Sequence, residues 1–71
     1  MLNREMIFRL IDAERLRQDA RHPEWDEEKA LAVLVEEVGE VAKALNEMDK
    51  VELIRELVQV AAVCVRWLEQ I

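Results

Sequence analysis

Four side chains in the middle of the chain have the types and the spacing of a metal-ion site. Glu37 and Glu40 are three residues apart, and so are Glu56 and Gln59. Residues three apart on a helix share one face, so each pair can be directed at a single point. Carboxylate and amide oxygens are the ligands that Mg²⁺ and Mn²⁺ prefer in proteins. The sequence therefore predicts a divalent cation site, provided that two helices bring the pairs together.

A turn near Met48 would bring them together. Residues 40 and 56 are equally far from residue 48 along the chain, and so are residues 37 and 59. Helices folded back about this turn would set Glu40 level with Glu56 and Glu37 level with Gln59. The alternative is that these are ordinary surface side chains, because a chain with twelve glutamates contains some such pairs by chance.

Further candidate side chains lie around the two pairs. Glu36 is a candidate general base for a water molecule beside the metal ion, and the alternative is a solvated charge. Trp25 follows Pro23 and is a candidate for stacking on a nucleotide base, or else packs against the helices. Arg17, Arg21 and Lys50 are candidate phosphate ligands, again with solvated charge as the alternative.

The composition indicates one small domain, residues 1–71, that assembles with copies of itself. Hydrophobic residues make up 52% of the chain, and the single cysteine, Cys64, cannot form an internal disulfide. A domain of this length is marginally stable alone. Burial of the surplus apolar surface between copies would stabilise it, so we expect a homo-oligomer, a dimer or a tetramer.

The net charge and the length of the apolar runs argue against nucleic acid polymers and membranes as partners. The formal net charge is −6, which disfavours binding to the phosphate backbone of a nucleic acid polymer. The longest apolar run, Val60 to Val65, is too short to span a bilayer, and no N-terminal signal pattern is visible. We expect a cytoplasmic protein that does not bind membranes.

The pattern of apolar residues predicts an all-α fold of three helices. The first runs from Leu2 to about Ala20, the second from about Glu27 to Asn46, and the third from about Lys50 to the C-terminus. Pro23 separates the first two helices, and Asp49 begins the third as an N-cap. The second and third should form an antiparallel hairpin within an oligomeric helical bundle, with Gly39 permitting a close approach.

The motifs around these residues resemble a known family. The segment Glu36-Glu37-Val38-Gly39-Glu40 resembles the EExxE motif of the MazG-like, all-α nucleoside triphosphate pyrophosphohydrolases. The segment Glu56-Leu57-Val58-Gln59 stands where that family has its ExxD motif. The resemblance extends from about Glu14 to the C-terminus.

The resemblance implies a fold, an activity and a set of ligands. Family members are helical oligomers that use Mg²⁺ to hydrolyse a nucleoside triphosphate to the monophosphate and pyrophosphate. Glu37, Glu40 and Glu56 would be metal ligands, and Glu36 or Glu37 would help to deprotonate the attacking water.

Gln59 replaces the aspartate of the family motif, which removes one negative charge and predicts weaker metal binding. Two functions therefore follow from the sequence. The chain is a nucleotide pyrophosphohydrolase of reduced activity, or it is a catalytically silent helical module that binds a nucleotide or a protein partner.

Overall fold

The computed structural model describes all 71 residues, which form three α-helices and no strand. Helix α1 spans Arg4–Arg21, α2 spans Glu27–Asn46 and α3 spans Lys50–Gln70. The all-α prediction is confirmed, and the predicted bounds of α2 agree with the observed ones. Helix α1 begins two residues later than predicted because Asn3, outside the helix, caps it. None of the helices combines the length and apolar character needed to cross a membrane.

Each helix begins at a side-chain cap. Asn3, Asp26 and Asp49 have extended backbone conformations, and each side chain accepts a hydrogen bond from the backbone N–H three residues further on. The three bonds measure 2.9, 2.8 and 3.0 Å. Such caps satisfy backbone donors that have no partner within the helix, so the chain fixes its helix starts locally.

The turn between α2 and α3 is a Schellman motif with an uncommon central residue. The N–H of Asp49 donates to the carbonyl of Ala44 at 3.0 Å, and the N–H of Met48 donates to that of Leu45 at 3.1 Å. Met48 lies between them with a φ of 54°. Glycine usually occupies this left-handed position because a side chain there is strained. The hydrogen bonds of the turn hold Met48 in that conformation.

Helix α3 packs against both other helices, whereas α1 and α2 do not pack against each other. The buried apolar residues are small: Ala30 and Ala44 on α2, and Ala62 and Val63 on α3. Most large apolar side chains are exposed. On α2 these include Leu31, Val35, Val38 and Leu45. The side of α2 that meets α3 is therefore the alanine side, and these four larger apolar residues lie outside the contact.

Arg66 joins the C-terminal end of α1 to α3. Its side chain is buried and donates hydrogen bonds to the backbone carbonyls of Gln18, at 3.1 Å, and His22, at 2.7 Å. Its guanidinium carbon lies 4.2 Å from the centre of the Trp25 ring, and its Nε lies 3.4 Å from a carboxylate oxygen of Asp19. The sequence pattern assigns Arg66 to a polar stripe of α3, and in the structure this part of the stripe faces α1.

Two further polar contacts tie α3 to its neighbours. Arg15 of α1 forms an ion pair with Glu69, with Nε 2.7 Å from the carboxylate. The indole N–H of Trp67 donates to Glu27 of α2 at 2.9 Å. These contacts, with those of Arg66, fix how α1 and α2 lie against α3 although the apolar core is small.

Candidate functional site

Three of the four predicted metal ligands meet between α2 and α3. One amide position of Gln59 lies 2.5 Å from Oε2 of Glu37 and 2.8 Å from Oε2 of Glu56. Glu37 and Glu56 thus both lie against the amide of Gln59. Glu37 on α2 therefore faces Gln59 and Glu56 on α3.

The orientation of the Gln59 amide depends on what else occupies this point. With its nitrogen toward the two carboxylates, Gln59 donates a hydrogen bond to each. With its oxygen turned toward them, three oxygens would face one another, and only a cation among them would stabilise that arrangement. The same side chain therefore has one orientation suited to the free site and one suited to a metal ion.

Glu56 is the buried member of the group. Only 7% of its surface is exposed, and burial raises the pKa of its carboxyl to about 8, with further contributions from Glu37 and Glu52. Glu52, one helical turn before Glu56, also accepts a hydrogen bond from Arg55 at 2.7 Å. The carboxyl of Glu56 is therefore mostly protonated at neutral pH, because its neighbours are acidic and water is largely excluded.

The fourth predicted ligand, Glu40, lies apart from the others. Its side chain is exposed and lines a separate polar cleft at the turn between α2 and α3. This cleft is lined by Glu40, Lys43, Ala44, Glu47, Asp49 and Glu52. No group of three or more His, Cys, Asp or Glu side chains is close enough in this structure to hold a metal ion. The site that does form consists of two carboxylates and one amide.

A polar cleft lies beside this group, between all three helices, and three of the other predicted site residues line it. Its volume is about 70 Å³. Its walls are formed by Glu14, Arg17, Gln18, Arg21, His22, Val33, Glu36, Glu37 and Gln59. Glu36 and Arg21 are thus brought to the same cleft as Glu37. Small-molecule pockets measure roughly 300–1,000 Å³, so this cleft has room for one small polar group rather than a whole nucleotide.

The two remaining predicted substrate-binding residues lie elsewhere. Trp25 is half-buried beneath the guanidinium of Arg66 and does not line the cleft. Lys50 lines a mainly apolar depression at the start of α3, with Leu45, Met48 and Leu53. The structure therefore separates Trp25 and Lys50 from the group formed by Glu37, Glu56 and Gln59.

Two further residues of the cleft are Gln18, for which the sequence predicts no role, and Arg17, a candidate phosphate ligand. Gln18 is 5% exposed and donates to the backbone carbonyl of Gln59 at 3.3 Å, while its own Oε1 has no partner. Arg17 is held by Glu14, with contacts of 2.7 to 3.1 Å, and this hydrogen bonding raises the pKa of the guanidinium. Arg17 and Arg21, four residues apart on one face of α1, both line the cleft.

His22, at the mouth of the cleft, is uncharged at neutral pH. Burial lowers the pKa of its ring, and the nearby charges of Lys29, Arg21 and Arg66 lower it further. The positive charge along this wall of the cleft therefore comes from Arg17 and Arg21.

Comparison of the chain with protein-family models, with curated proteins and with solved structures finds no match to any of them.

Proposed function

We propose that this chain is a Mg²⁺-dependent hydrolase of the MazG-like kind, which cleaves a nucleoside triphosphate into the monophosphate and pyrophosphate. The proposal rests on the resemblance of segments 36–40 and 56–59 to the two motifs of that family. It also rests on the meeting of Glu37, Glu56 and Gln59 at one point.

The observation that carries the proposal is the buried carboxyl of Glu56, which meets Glu37 and Gln59 at one point. A carboxylate placed among other acids and away from water is unfavourable unless a cation compensates it. The raised pKa of Glu56, about 8, is the state expected of such a site without its cation. A divalent ion would displace the proton, and Gln59 would turn its oxygen inward.

The donor set fits Mg²⁺. This ion is commonly bound by one or two carboxylates, with waters and substrate phosphates as its remaining ligands. Glu37 and Glu56 would supply the carboxylates and Gln59 an amide oxygen, while Glu40, one turn from Glu37, would need a change of side-chain conformation to join them. When bound, Mg²⁺ neutralises phosphate oxygens and so favours attack at phosphorus.

Other side chains of the cleft would bind the phosphates and accept a proton. Arg17 and Arg21 present positive charge on the wall formed by α1, where they would bind phosphate oxygens of the substrate. Glu36, exposed on the opposite wall, would accept a proton from the attacking water. Because the cleft is small, it would hold a phosphate group, with the sugar and base outside it.

The proposal includes an antiparallel hairpin of α2 and α3 within a homo-oligomer. Three contacts support that direction. Glu27, near the start of α2, bonds to Trp67 near the end of α3. Glu37 meets Glu56 at the middle, and Leu45 lies beside Leu53 near the turn.

The proposed activity is tested by substituting Glu56. Purified Glu56→Ala should release no pyrophosphate from nucleoside triphosphates in Mg²⁺, because it lacks the central ligand, while its helix content and mass in solution stay those of the wild type. Glu28→Ala is the matched control, since Glu28 is an exposed glutamate at the start of α2 and away from the cleft. Pyrophosphate release by Glu56→Ala at the rate of the control would contradict the proposal.

A second function is favoured by one observation. The amide of Gln59 satisfies both carboxylates without a cation, as expected of a catalytically silent module that kept the helical framework. The variant Gln59→Asp separates the two functions. A hydrolase framework should gain Mg²⁺ affinity and turnover from the added charge, whereas a silent module should show no turnover with either residue.

A further inference from the structure

A groove with mainly apolar walls lies between α1 and α3. Its volume is about 380 Å³. We call it the apolar groove, and the apolar residues that line it are Leu10 and Ala13 of α1 and Val51, Ile54 and Val58 of α3. Helix α2 contributes no residue to it. The apolar groove is therefore separate from the group of carboxylates between α2 and α3.

The apolar groove and the polar cleft share one wall. Glu14 and Arg17 line both of them, and the two side chains form an ion pair in which Nη2 of Arg17 lies 2.7 Å from Oε2 of Glu14. Glu14 is the less exposed partner, with 12% of its side chain accessible to solvent against 48% for Arg17. A ligand that fills the cleft therefore has only this ion pair between it and the apolar groove.

The two spaces differ in size as well as in polarity. The cleft, of about 70 Å³, has room for one small polar group. The apolar groove, of about 380 Å³, falls within the roughly 300–1,000 Å³ of small-molecule pockets. Together they suit a ligand with a charged end and a larger, less polar body. A nucleotide has this form, because its phosphates are charged and the two faces of its base are apolar.

The apolar residues of the groove face water. Val51 is 69% exposed and Ile54 is 42% exposed, and Ala13 is exposed as well. A planar ring laid against these side chains would remove apolar surface from water, which favours binding. The polar edge of the ring would stay hydrated at the open side of the groove, so a base would keep its hydrogen bonds to water there.

Each arginine that lines the apolar groove is paired with a glutamate of its own helix. Arg17 donates to Glu14 at 2.7 Å, and Arg55 donates to Glu52 at 2.7 Å. Contact with a base would thus come mainly from aliphatic side chains, which do not distinguish donors from acceptors. Apolar pockets discriminate weakly between ligands of similar shape, so purine and pyrimidine bases should bind with similar affinities.

We propose that the apolar groove binds the nucleoside of the substrate, while the phosphates extend past the Glu14–Arg17 ion pair into the cleft. This inference rests on the proposed function, which supplies the phosphate end of the ligand. The substrate class is then nucleoside triphosphates with either a purine or a pyrimidine base. Trp25, the base-stacking candidate from the sequence, takes no part, because its ring packs against Arg66.

The first test compares two kinds of ligand of equal charge on the wild-type protein. Both have a methylene group between the α- and β-phosphorus atoms, which prevents cleavage there, and one carries a nucleoside whereas the other is only a methyl ester. By calorimetry in Mg²⁺, the adenine, guanine, cytosine and uracil nucleotides should each bind at least about tenfold more tightly than the methyl ester, and within about tenfold of one another. A smaller gain from the nucleoside, a larger preference for one base, or no binding of any nucleotide would overturn the inference.

The second test fills the apolar groove at Ala13. Ala13→Phe should weaken binding of the nucleotides by on the order of tenfold and leave binding of the methyl ester unchanged, because the cleft is intact. Ala32→Phe is the matched control, since Ala32 is exposed on α2, which contributes nothing to the groove. Circular dichroism should show the wild-type helix content in both variants. Equal nucleotide affinities of the two folded variants would overturn the inference, and the first test decides it if Ala13→Phe does not fold.

Binding and hydrolysis are measured separately, so the inference and the proposed function can fail separately. Nucleotide binding that depends on Ala13, without release of pyrophosphate by the wild type, would support the groove and contradict the hydrolase. Release of pyrophosphate without a nucleoside contribution to binding would contradict the groove alone. The competing occupant is a second copy of the chain. It predicts no nucleoside contribution and a mass in solution above that of one chain, which Ala13→Phe reduces, and this result would also overturn the inference.

Discussion

Arg66 is a charged residue of α3 whose role is structural, because its side chain binds the C-terminal end of α1. The carbonyls it binds, those of Gln18 and His22, lie at the C-terminal end of α1. That of Gln18 also accepts from the backbone N–H of His22 at 2.8 Å, whereas that of His22 lies beyond the last helical residue and has no partner within the helix. The positive charge also suits the negative end of the helix dipole. Arg66 therefore fixes the end of α1 against α3, next to the wall of the cleft that carries Arg21.

Removing this side chain should destabilise the fold. We expect Arg66→Ala to lower the free energy of unfolding by about 2–4 kcal/mol. The carbonyls of Gln18 and His22 lose a charged hydrogen-bond donor, and the Trp25 ring loses the guanidinium that packs against it. Urea unfolding followed by tryptophan fluorescence measures this change. Arg55→Ala is the control, since Arg55 is exposed and pairs only with Glu52, and it should change stability by less than about 0.5 kcal/mol. Equal effects of the two substitutions would contradict the role of Arg66.

The buried carboxyl of Glu56 should make stability depend on pH in the absence of metal ions. Its pKa is about 8 in the folded chain against an ordinary value of 4.5, so the folded state retains a proton that the unfolded state loses. The free energy of unfolding should fall as the pH rises between these values, by up to about 1.4 kcal/mol per pH unit, with the full stability present below pH 4.5.

Glu56→Gln removes the titrating group and should flatten this part of the pH profile. Urea unfolding in a chelator at about pH 5.5 and about pH 7.5 measures the difference between the variant and the wild type. Glu28→Gln, an exposed control, should keep the wild-type slope. The burial of Glu56 would be refuted if all three proteins showed the same slope.

At the residue scale, the sequence predicted the site in part. The spacing of Glu37, Glu56 and Gln59 was sufficient to bring them together, because helix periodicity and one turn determine it. The role of Arg66 was not predictable. Helix periodicity places it among the polar residues of α3, but it does not show that backbone carbonyls at the end of α1 would contact it. Glu40 shares a helix with Glu37, but the side-chain conformation that separates it from the group is not encoded in spacing.

At the scale of the elements, the turn at Met48 is the strained point of the fold. Its φ of 54° is costly for a residue with a side chain, and the side chain itself is exposed. We expect Met48→Gly to raise the free energy of unfolding by about 1 kcal/mol, because glycine adopts this conformation without steric cost. Thermal and urea unfolding at one protein concentration measure it.

Met48→Ala separates conformational strain from loss of the methionine side chain. Alanine has the same Cβ and should leave the stability within about 0.5 kcal/mol of the wild type. A gain with alanine as large as that with glycine would show that the left-handed conformation is not the cause.

The helices themselves were predictable because their signals are local. Asn3, Asp26 and Asp49 cap the three helices as single side chains acting over three residues. The faces of the helices were less predictable. The apolar stripe of α2 is broad, and only the structure shows that α3 packs against its alanine side while Leu31 and Val35 stay exposed. Side-chain size, which decides how closely helices approach, outweighed hydrophobicity here.

At the scale of the whole molecule, a small core and a polar centre make the chain unusual as a monomer. Its largest fully buried side chain is Val63, and the contacts that fix the three helices are mostly polar. The prediction of a homo-oligomer came from composition, and it remains a prediction. Composition cannot show which surface such an oligomer would use, because the exposed surface is defined only once α1 and α2 are packed on α3.

The most direct test of the proposed activity is nucleotide hydrolysis by the wild-type protein. In Mg²⁺ it should convert at least one of the common ribo- or deoxyribonucleoside triphosphates to equal amounts of the monophosphate and pyrophosphate, and a chelator should stop the reaction. Release of inorganic phosphate instead, or no reaction with any of these nucleotides in Mg²⁺ or Mn²⁺, would contradict the assignment.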